Sequence, residues 1–219
     1  MRFIPAKTPK LLKRLFPRYI WSLPASKSEK VIYLTFDDGP IPGVTEFVLD
    51  QLKIYSAKAS FFCIGDNISK HPELFVKIIN DGHSIGNHTY NHLKAWQTQL
   101  DCYLTNTKKC EEQIQLHIKD NYHQKLFRPP YGQISRSKFN ALKELGYKII
   151  MWDVLAKDWI QNHPDEDYHY KNVVSSAING SIIVFHDSIK AEKNLKKTLP
   201  KVLEYYSTRG YKFKSITFQ

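Results

Sequence analysis

The feature that most limits the fold is the regular alternation of apolar runs with segments of helical periodicity. Runs rich in β-branched and aromatic residues are predicted as strands over residues 31–36, 59–65, 83–88, 125–128, 147–154, 181–187 and 211–216. These runs lack a strict polar alternation, which is typical of parallel strands that are covered on both faces. The pattern predicts an α/β protein with helices outside a parallel sheet, either an open doubly wound sheet or a closed barrel.

Helical patterns fill the intervals between the predicted strands. They cover residues 44–52, 72–80, 98–118, 135–145, 168–178 and 191–206. No Gly-x-Gly-x-x-Gly sequence follows a predicted strand, which disfavours a dinucleotide-binding fold. A length of 219 residues favours a single domain. We expect a basic arm over residues 1–29, packed on a domain that spans residues 30–219.

The net charge of +11 suggests an anionic partner, but its distribution argues against nucleic acid. Residues 1–20 hold six basic and no acidic side chains, and residues 188–219 hold eight basic and two acidic ones. The stretch between them is close to neutral. Nucleic-acid binding would place basic residues among the aromatic side chains of that central stretch. We therefore expect no nucleic-acid partner, while contact of the basic termini with an anionic surface stays open.

Cysteine usage and the first residues of the chain bear on location. The cysteines are Cys63, Cys102 and Cys110, an odd number without Cys-x-x-Cys spacing, which fits a reducing compartment. The start of the sequence has no apolar core of a signal peptide, and no run approaches the 18 apolar residues of a spanning helix. We expect a cytoplasmic protein on this basis, with export by another route left open.

Polar clusters follow the predicted strands at the point where each strand ends. They are Asp37-Asp38, His88 to His92, Arg128 to Tyr131, Asp153 to Trp159, and His186-Asp187. Ligand sites of parallel α/β folds lie at the carboxyl ends of the strands. The sequence therefore predicts one functional site at this edge of the sheet.

The pair His88 and His92 has the spacing of two metal ligands on one helical turn. Two surface histidines would be the ordinary interpretation of such a pair alone, so a third ligand is needed. Asp37-Asp38 supplies carboxylates, although Asp-Gly-Pro also predicts a turn there. Adjacent carboxylates repel each other unless a cation neutralises one of them. One aspartate would then bind a metal while the other transfers a proton.

Five motifs in this order resemble the polysaccharide deacetylases with a NodB homology domain, carbohydrate esterase family 4. They are Thr-Phe-Asp-Asp-Gly-Pro (35–40), His-Thr-Tyr-Asn-His (88–92), Arg-Pro-Pro-Tyr-Gly (128–132), the stretch 152–159, and Ile-Val-Phe-His-Asp (183–187). The resemblance covers about residues 30–218. It implies a distorted, incomplete (β/α) barrel and a divalent metal, with Zn²⁺ expected and Co²⁺ or Ni²⁺ as alternatives.

The resemblance also implies a role for each motif residue. Asp38, His88 and His92 would bind the metal, and Asp37 would be the general base. Arg128 would orient Asp37 and hold it ionised, and His186 would be the general acid. The remaining residues would bind the substrate: Tyr131 through its backbone N–H at the oxyanion, with Pro129, Pro130 and Trp159 shaping the sugar groove.

One position departs from the family pattern. The fourth motif usually reads Asp-x-x-Asp-Trp, whereas this chain has Leu155 at the first aspartate. We predict that His186 lacks a carboxylate partner unless Asp153 replaces it. Turnover would then be slower, or optimal at lower pH.

The expected function is removal of N-acetyl groups from a polysaccharide or oligosaccharide that contains N-acetylglucosamine, by a monomeric enzyme. Two alternatives stay open: an O-acetyl carbohydrate esterase, and a weakly active metal- or glycan-binding protein because of Leu155. The basic arm could lie on an anionic membrane or close the bottom of the barrel with its apolar side chains. We favour the second arrangement, because Pro5, Pro9 and Pro17 leave room for only a short helix. The apolar side chains in question are Leu11, Leu12, Leu15 and Phe16.

Overall fold

The computed structural model describes residues 5–24, 28–118 and 124–218, so residues 1–4 and 25–27 of the predicted arm lie outside the described residues. The strands are β1 (Val31–Asp37), β2 (Ser60–Cys63), β3 (Ser84–Asn87), β4 (Leu126–Phe127), β5 (Lys148–Ile149), β6 (Val154–Leu155), β7 (Ile182–His186) and β8 (Lys212–Phe213). The predicted strand over 147–154 is therefore wrong as one element. It is two short strands, and residues 150–153 connect them.

The helices are α1 (Lys10–Leu15), α2 (Thr45–Ile54), α3 (Gly65–Lys70), α4 (Pro72–Asn80), α5 (Leu100–Gln115), α6 (Arg136–Glu144), α7 (Tyr168–Val174) and α8 (Glu192–Ser207). Six of them match the predicted helical patterns. The short helix α3 was not predicted, because its polar sequence carries no apolar stripe.

The strands form a curled, open half-barrel in which all strand pairs are parallel. The strand order is β5-β4-β3-β2-β1-β7-β6, and β8 pairs with the first two residues of β1. Strand β1 is central, since it pairs with both β2 and β7 over its last residues. The predicted α/β class and incomplete barrel are confirmed, and the open doubly wound sheet is not observed.

Both faces of the central strands are covered. In β1, six of seven residues are buried, and Phe36 stacks between Phe61 of β2 and Phe185 of β7. Helices α2, α4 and α8 contribute their apolar faces to the same core. This double coverage explains why the strands are continuous apolar runs rather than alternating ones.

Residues 7–22 bridge the two ends of the open sheet. Lys7 pairs with Val154 of β6, while Ile20 pairs with Ile150 just beyond β5. Backbone hydrogen bonds support both contacts, such as that from Met151 N to the carbonyl of Ile20 at 2.7 Å. The arm therefore closes the seam between β5 and β6 with main-chain pairing.

The buried carboxylate of Asp153 anchors the arm. It accepts hydrogen bonds from Lys7 Nζ at 2.6 Å, from Lys13 Nζ and from Ser181 Oγ. Burial alone would raise the pKa of Asp153, but these hydrogen bonds lower it below its ordinary value. Asp153 is thus a partner of the arm.

The apolar side chains of α1 do not fill the barrel as predicted. None of the six residues of this helix is buried. Leu11, Leu12, Leu15 and Phe16 are all exposed. The arm packs instead through polar groups and through Tyr19, Ile20 and Trp21, so the predicted plug is wrong for the leucines.

Among the helices of the described residues, none combines the length and the hydropathy that a membrane span requires.

Candidate active site

Strand register brings the predicted catalytic residues together. Asp37 is the last residue of β1 and His186 the last of β7, and these two residues are direct neighbours in the sheet. Loops that follow β1, β3, β4, β6 and β7 surround them and form a cleft of about 580 Å³, a size typical of small-ligand sites. The cleft is lined by Asp37, Asp38, His88, His92, Pro129, Tyr131, Gly132, Gln133, Trp152, Leu155, Trp159, Val184, His186, Ser188 and Lys190.

Asp38, His88 and His92 converge as the ligands of one metal ion would. Their ligand atoms lie within 4.8 Å of one another. Asp38 Oδ1 is 3.8 Å from His88 Nε2 and 3.4 Å from His92 Nε2. This oxygen is buried and has no hydrogen-bond partner among the described residues. A buried carboxylate oxygen without a donor needs compensation, and a cation between the three groups supplies it. The residues therefore fit a divalent metal of the kind that binds nitrogen and oxygen ligands.

A hydrogen bond orients the ring of His88. Its Nδ1 lies 2.7 Å from the backbone carbonyl of Arg128. Since a carbonyl only accepts, Nδ1 carries the proton and Nε2 is left free to bind a metal. Burial lowers the pKa of His88 to about 3, with a further contribution from His92. Burial also lowers the pKa of His92. Both rings are therefore neutral at physiological pH, as metal ligands must be.

The two histidines do not lie on a helical turn as predicted. Residues 88–92 form a loop in which Thr89 has φ 64° and His92 has φ 54°. Asparagine side chains hold this loop: Asn87 Oδ1 accepts from Thr89 N, and Asn106 Oδ1 accepts from the next two backbone N–H groups. The local hydrogen bonds override helical spacing, and the rings meet across the loop.

Left-handed backbone conformations concentrate around the site. Asp38 has φ 87° and Tyr131 has φ 59°, in addition to Thr89 and His92. Residues other than glycine adopt this region at an energetic cost, which the surrounding contacts must offset. Four such residues around one cleft indicate that contacts within the site, more than local backbone preference, determine the conformation of these loops.

Arg128 fixes the carboxylate of Asp37. Its Nη1 donates to Asp37 Oδ1 at 2.6 Å and to Thr35 Oγ1 at 2.7 Å. The rest of the guanidinium donates to the carbonyls of Ile150 and Met151 and lies 4.0 Å from the centre of the Phe62 ring. Arg128 is fully buried, so these contacts replace its hydration. The Arg128 guanidinium therefore both holds the Asp37 carboxylate in place and balances its negative charge.

Asp158 is the carboxylate partner of His186, contrary to the sequence prediction. Asp158 Oδ1 lies 2.8 Å from His186 Nδ1, while Oδ2 accepts from the backbone N–H of His186 at 2.7 Å. Burial would lower the pKa of His186, but the charge and hydrogen bond of Asp158 outweigh it and raise the pKa to about 9. His186 therefore keeps its proton at neutral pH.

Leu155 and Asp153, which the sequence analysis related to His186, do not contribute a carboxylate to it. Leu155 is a buried lining residue of the cleft, next to Val184 in the sheet. Asp153 binds the arm lysines instead of substituting for a missing carboxylate. The mistake came from assigning the pairing role to the first motif position, whereas Asp158, three residues later, performs it.

Aromatic and proline residues form the walls of the cleft. The Tyr131 ring is exposed and lies 4.6 Å from the His92 ring, and the Trp159 ring lies edge-on to His186 at 4.8 Å. Pro129 lines the cleft as predicted, whereas Pro130 is buried beneath it. Trp152 also lines the cleft. Gly132 lies against this indole, and a side chain there would overlap it.

Several supporting residues were not predicted from the sequence. Asp187 is fully buried and accepts from Gly39 N at 2.9 Å and from Thr45 Oγ1 at 2.6 Å, so it joins the loop after β1 to β7. Burial raises the pKa of Asp187 to about 8. Asn67 Nδ2 donates to the carbonyl of Asp38 at 2.7 Å. The position of Asp187 directly after His186 was a signal, whereas nothing in the sequence around Asn67 indicated its contact.

Comparison with known proteins identifies the family of the chain. Residues 25–150 match the family model described as polysaccharide deacetylase. A peptidoglycan-N-acetylglucosamine deacetylase of Bacillus cereus is 35% identical over 202 residues, which cover 90% of either chain. The chain belongs to the polysaccharide deacetylase family. The predicted membership of carbohydrate esterase family 4 is confirmed.

Two further relatives support the same assignment. A peptidoglycan-N-acetylmuramic acid deacetylase of Bacillus subtilis is 30% identical over 213 residues, which cover 97% of this chain and 80% of the relative. A solved peptidoglycan N-acetylglucosamine deacetylase, in complex with 4-naphthalen-1-yl-N-oxidanyl-benzamide, superposes with a TM-score of 0.84. It is 32% identical, and the match covers 95% of each chain. This polysaccharide deacetylase is thus a hydrolase of amide bonds, and its family implies a divalent metal.

Proposed function

We propose that the protein removes acetyl groups from N-acetylglucosamine units of a peptidoglycan- or chitin-like glycan, with Zn²⁺ bound by Asp38, His88 and His92. The observation that carries this proposal is the arrangement of two differently held proton-transfer groups beside one metal-ligand cluster. Asp37 is held by a buried arginine, and His186 is held protonated by Asp158. The substrates named for the relatives support the choice of glycan.

The metal, when bound, polarises the acetyl carbonyl and lowers the pKa of an attacking water. Asp37 is the base that removes the proton of this water, because it lines the cleft beside the ligand cluster. Arg128 donates to Asp37 Oδ1 and so fixes the orientation of the carboxylate. Asp37 Oδ2 takes no part in this contact, so it is our candidate for the oxygen that accepts the proton.

His186 supplies the proton that the leaving amine needs. It stands beside Asp37 at the carboxyl end of the sheet, and its pKa of about 9 keeps it protonated at neutral pH. Its Nδ1 is occupied by Asp158, so Nε2 is the nitrogen that donates to the amine. An amide needs this step more than an ester does, because an amine leaves poorly without a proton.

The backbone N–H of Tyr131 is our candidate for the oxyanion donor, since the strained turn at Pro130–Gly132 sets its direction. Pro129, Trp159 and the exposed ring of Tyr131 would bracket the sugar. Apolar and aromatic walls of this kind suit a pyranose ring, whose faces carry C–H groups.

The contact between Asp158 and His186 bears on both alternative functions, the weakly active binding protein and the O-acetyl esterase. The weakly active binding protein was suggested because Leu155 replaces an aspartate, but His186 has its carboxylate partner in Asp158. An ester substrate makes less demand on the general acid than an amide does, and here His186 is well held by Asp158. We therefore give priority to amide substrates. A monomeric state and the cellular location stay predictions.

The proposal is tested by acetate release from a substrate panel. The panel comprises N-acetylglucosamine oligomers, peptidoglycan and acetylated xylan, each with protein that has been stripped by a chelator and reloaded with Zn²⁺. We expect release from the first two substrates, loss after stripping and recovery with Zn²⁺. Preference for acetylated xylan would favour the esterase, and activity that survives stripping would exclude the metal site.

A further inference from the structure

The short helix α1 and the residue after it carry an unusually dense group of exposed apolar side chains. Leu11 is 67% exposed, Leu12 38%, Leu15 64% and Phe16 43%. We call these four residues the arm patch. Four such side chains within six residues are far from the scattered pattern that is ordinary on a soluble surface.

The arm patch is set among positive charge. Lys10 and Arg14 lie on the same helix, and neither forms an ion pair within residues 5–24, 28–118 and 124–218. Arg18 follows two residues after the patch, and residues 1–20 contain no acidic residue. A surface that combines leucines with unpaired cations matches the interfacial zone of an anionic bilayer, which offers acyl chains beneath negative headgroups.

The patch is held in place rather than carried on a loose tail. Lys13 of the same helix forms an ion pair with the buried Asp153. The indole Nε1 of Trp21 donates to the carbonyl of Phe16 at 3.0 Å, which ties the end of the patch to the returning chain. Because the patch is already held in place, less conformational entropy is lost when it binds a surface.

The position of the patch also sets an orientation. Asp153 lies beside Ile182, the first residue of β7, through the bond from its N–H to the carbonyl of Ile182. His186 of the catalytic cleft is the last residue of the same strand. The four residue steps from Ile182 to His186 span about 13 Å. The anchor of the arm patch therefore lies beside the start of β7, one strand length away from His186.

Other features near the start of β7 agree with contact at a bilayer. The exposed Ile178 lies in the turn that precedes β7, beside Ser181, which also binds Asp153. Lys212 pairs with the first residue of β1, so basic residues near the carboxyl terminus lie at the amino end of the sheet too. Lys212 and Lys214 pair with Glu29, so the arm supplies the unpaired cations that would face a bilayer.

We propose that the arm patch docks on an anionic lipid bilayer and holds the catalytic cleft on the side that faces away from the lipid. The unpaired cations argue against a second copy of the chain as the occupant, because two such patches would repel each other. A glycan above the bilayer surface would then be within reach of a tethered enzyme. This inference concerns the arm and does not depend on the proposed substrate.

The first test is co-sedimentation with vesicles of phosphatidylglycerol and phosphatidylcholine, compared with phosphatidylcholine alone. We expect binding to the anionic vesicles that weakens with salt. The double substitution Leu11→Ser/Leu15→Ser should reduce the partition coefficient about tenfold or more, since two leucines would no longer enter the interface. Lys10→Gln/Arg14→Gln should abolish the preference for the anionic lipid.

The matched control is Ile54→Ser/Leu116→Ser. These two side chains are 68% and 69% exposed, like the leucines of the patch, but lie on α2 and at the end of α5. Equal loss of binding in the control would show general stickiness and overturn the proposal. Failure of the unaltered protein to bind anionic vesicles would overturn it as well. A dimer in solution that Leu11→Ser/Leu15→Ser dissociates would assign the patch to a second copy instead.

The orientation has its own readout, which is independent of activity. In a Cys102→Ser background the remaining cysteines, Cys63 and Cys110, are buried and unreactive. A maleimide should label Leu12→Cys about tenfold more slowly when anionic vesicles are present, because lipid covers the patch. Ile189→Cys, an exposed position beside the cleft residue Lys190, should label at an unchanged rate. Protection of Ile189→Cys would show that the cleft faces the lipid and would contradict the proposed orientation.

Discussion

At the residue scale, Asp158 is the neighbour that does most to offset the effect of burial on the pKa of His186. Asp158 uses one oxygen for the ring of His186 and the other for its backbone N–H, so position and charge are fixed together. Asp153 is near in sequence but belongs to the arm. The chemistry of the acid therefore follows from a contact between β7 and the loop after β6.

Asp158→Asn should lower the pKa of His186 from about 9 towards or below 6.5, because the charge that offsets burial is removed. The acid works only when protonated, so activity is lost as pH rises through the pKa of His186. We expect the alkaline limb of the profile of kcat/KM against pH to move to lower pH, with kcat at neutral pH reduced roughly 100-fold. Asp153→Asn is the control and should leave this limb in place. An unmoved limb in Asp158→Asn would refute the assignment.

Leu155→Asp should harm the protein instead of completing a motif. The side chain of Leu155 is buried in the cleft wall, where a carboxylate would lack its hydration. We expect the free energy of unfolding to fall by about 2–4 kcal/mol, with no gain in kcat. Urea denaturation and acetate release measure the two effects. A faster enzyme of unchanged stability would mean that His186 does need a carboxylate at position 155.

At the element scale, the seam between β5 and β6 is the part of the fold that the sequence obscures. The run 147–154 is mostly apolar and predicts one strand, yet the chain crosses there from one end of the sheet to the other. The arm completes this region by pairing with both sides. Long-range pairing of this kind leaves no local pattern in the sequence, so propensity and periodicity could not reveal it.

Asp153→Asn tests how far the arm stabilises the barrel. Two lysines lose a buried charged partner, and we expect the free energy of unfolding at neutral pH to fall by about 1–3 kcal/mol. Asp165→Asn, which removes an exposed pair with Lys171, should change it far less, because solvent screens that pair. Similar losses in both variants would argue that the arm contributes nothing special.

The same contact predicts a dependence on pH. The pKa of Asp153 is lowered in the folded protein, because the hydrogen bonds of its lysine and serine partners outweigh its burial. Its stabilising contribution is therefore complete above the ordinary aspartate pKa of about 3.9 and is lost as pH falls through the lowered value. The gap in stability between the unaltered protein and Asp153→Asn should close in that acidic range, as denaturation at stepped pH would measure. A gap that stays constant would contradict the contact.

At the scale of the whole molecule, the sequence predicted the architecture and the site from separate signals. Apolar runs predicted the parallel strands, and the polar residues at their ends predicted Asp37, Asp38, His88, His92 and His186 in one cleft, which the structure shows. The prediction worked because carboxyl ends of parallel strands must meet. It failed for Asp158 and Asp187, because their hydrogen-bond partners are distant in sequence. It also failed for the leucines of α1, which are exposed instead of filling the barrel.

The charge of the molecule also has a place in this architecture. Most residues of the cleft belong to the nearly neutral stretch 21–187, which suits an uncharged acetylated sugar, and Ser188 and Lys190 of the basic end also line it. The arm, with six basic and no acidic residues over 1–20, is anchored instead at Asp153 near the start of β7. Catalysis and surface contact are thus assigned to different parts of one domain.

The central claim is that Asp37 is the base of a metal-dependent deacetylase. Its most direct test is acetate release from N-acetylglucosamine oligomers by the unaltered protein and by Asp37→Asn, each loaded with Zn²⁺ to the same measured content. Asp37 is absent from the ligand cluster of Asp38, His88 and His92, so the variant should keep its metal. We predict that its kcat falls by about 10²–10⁴-fold, the usual contribution of a general base. Equal rates at equal metal content would contradict the claim.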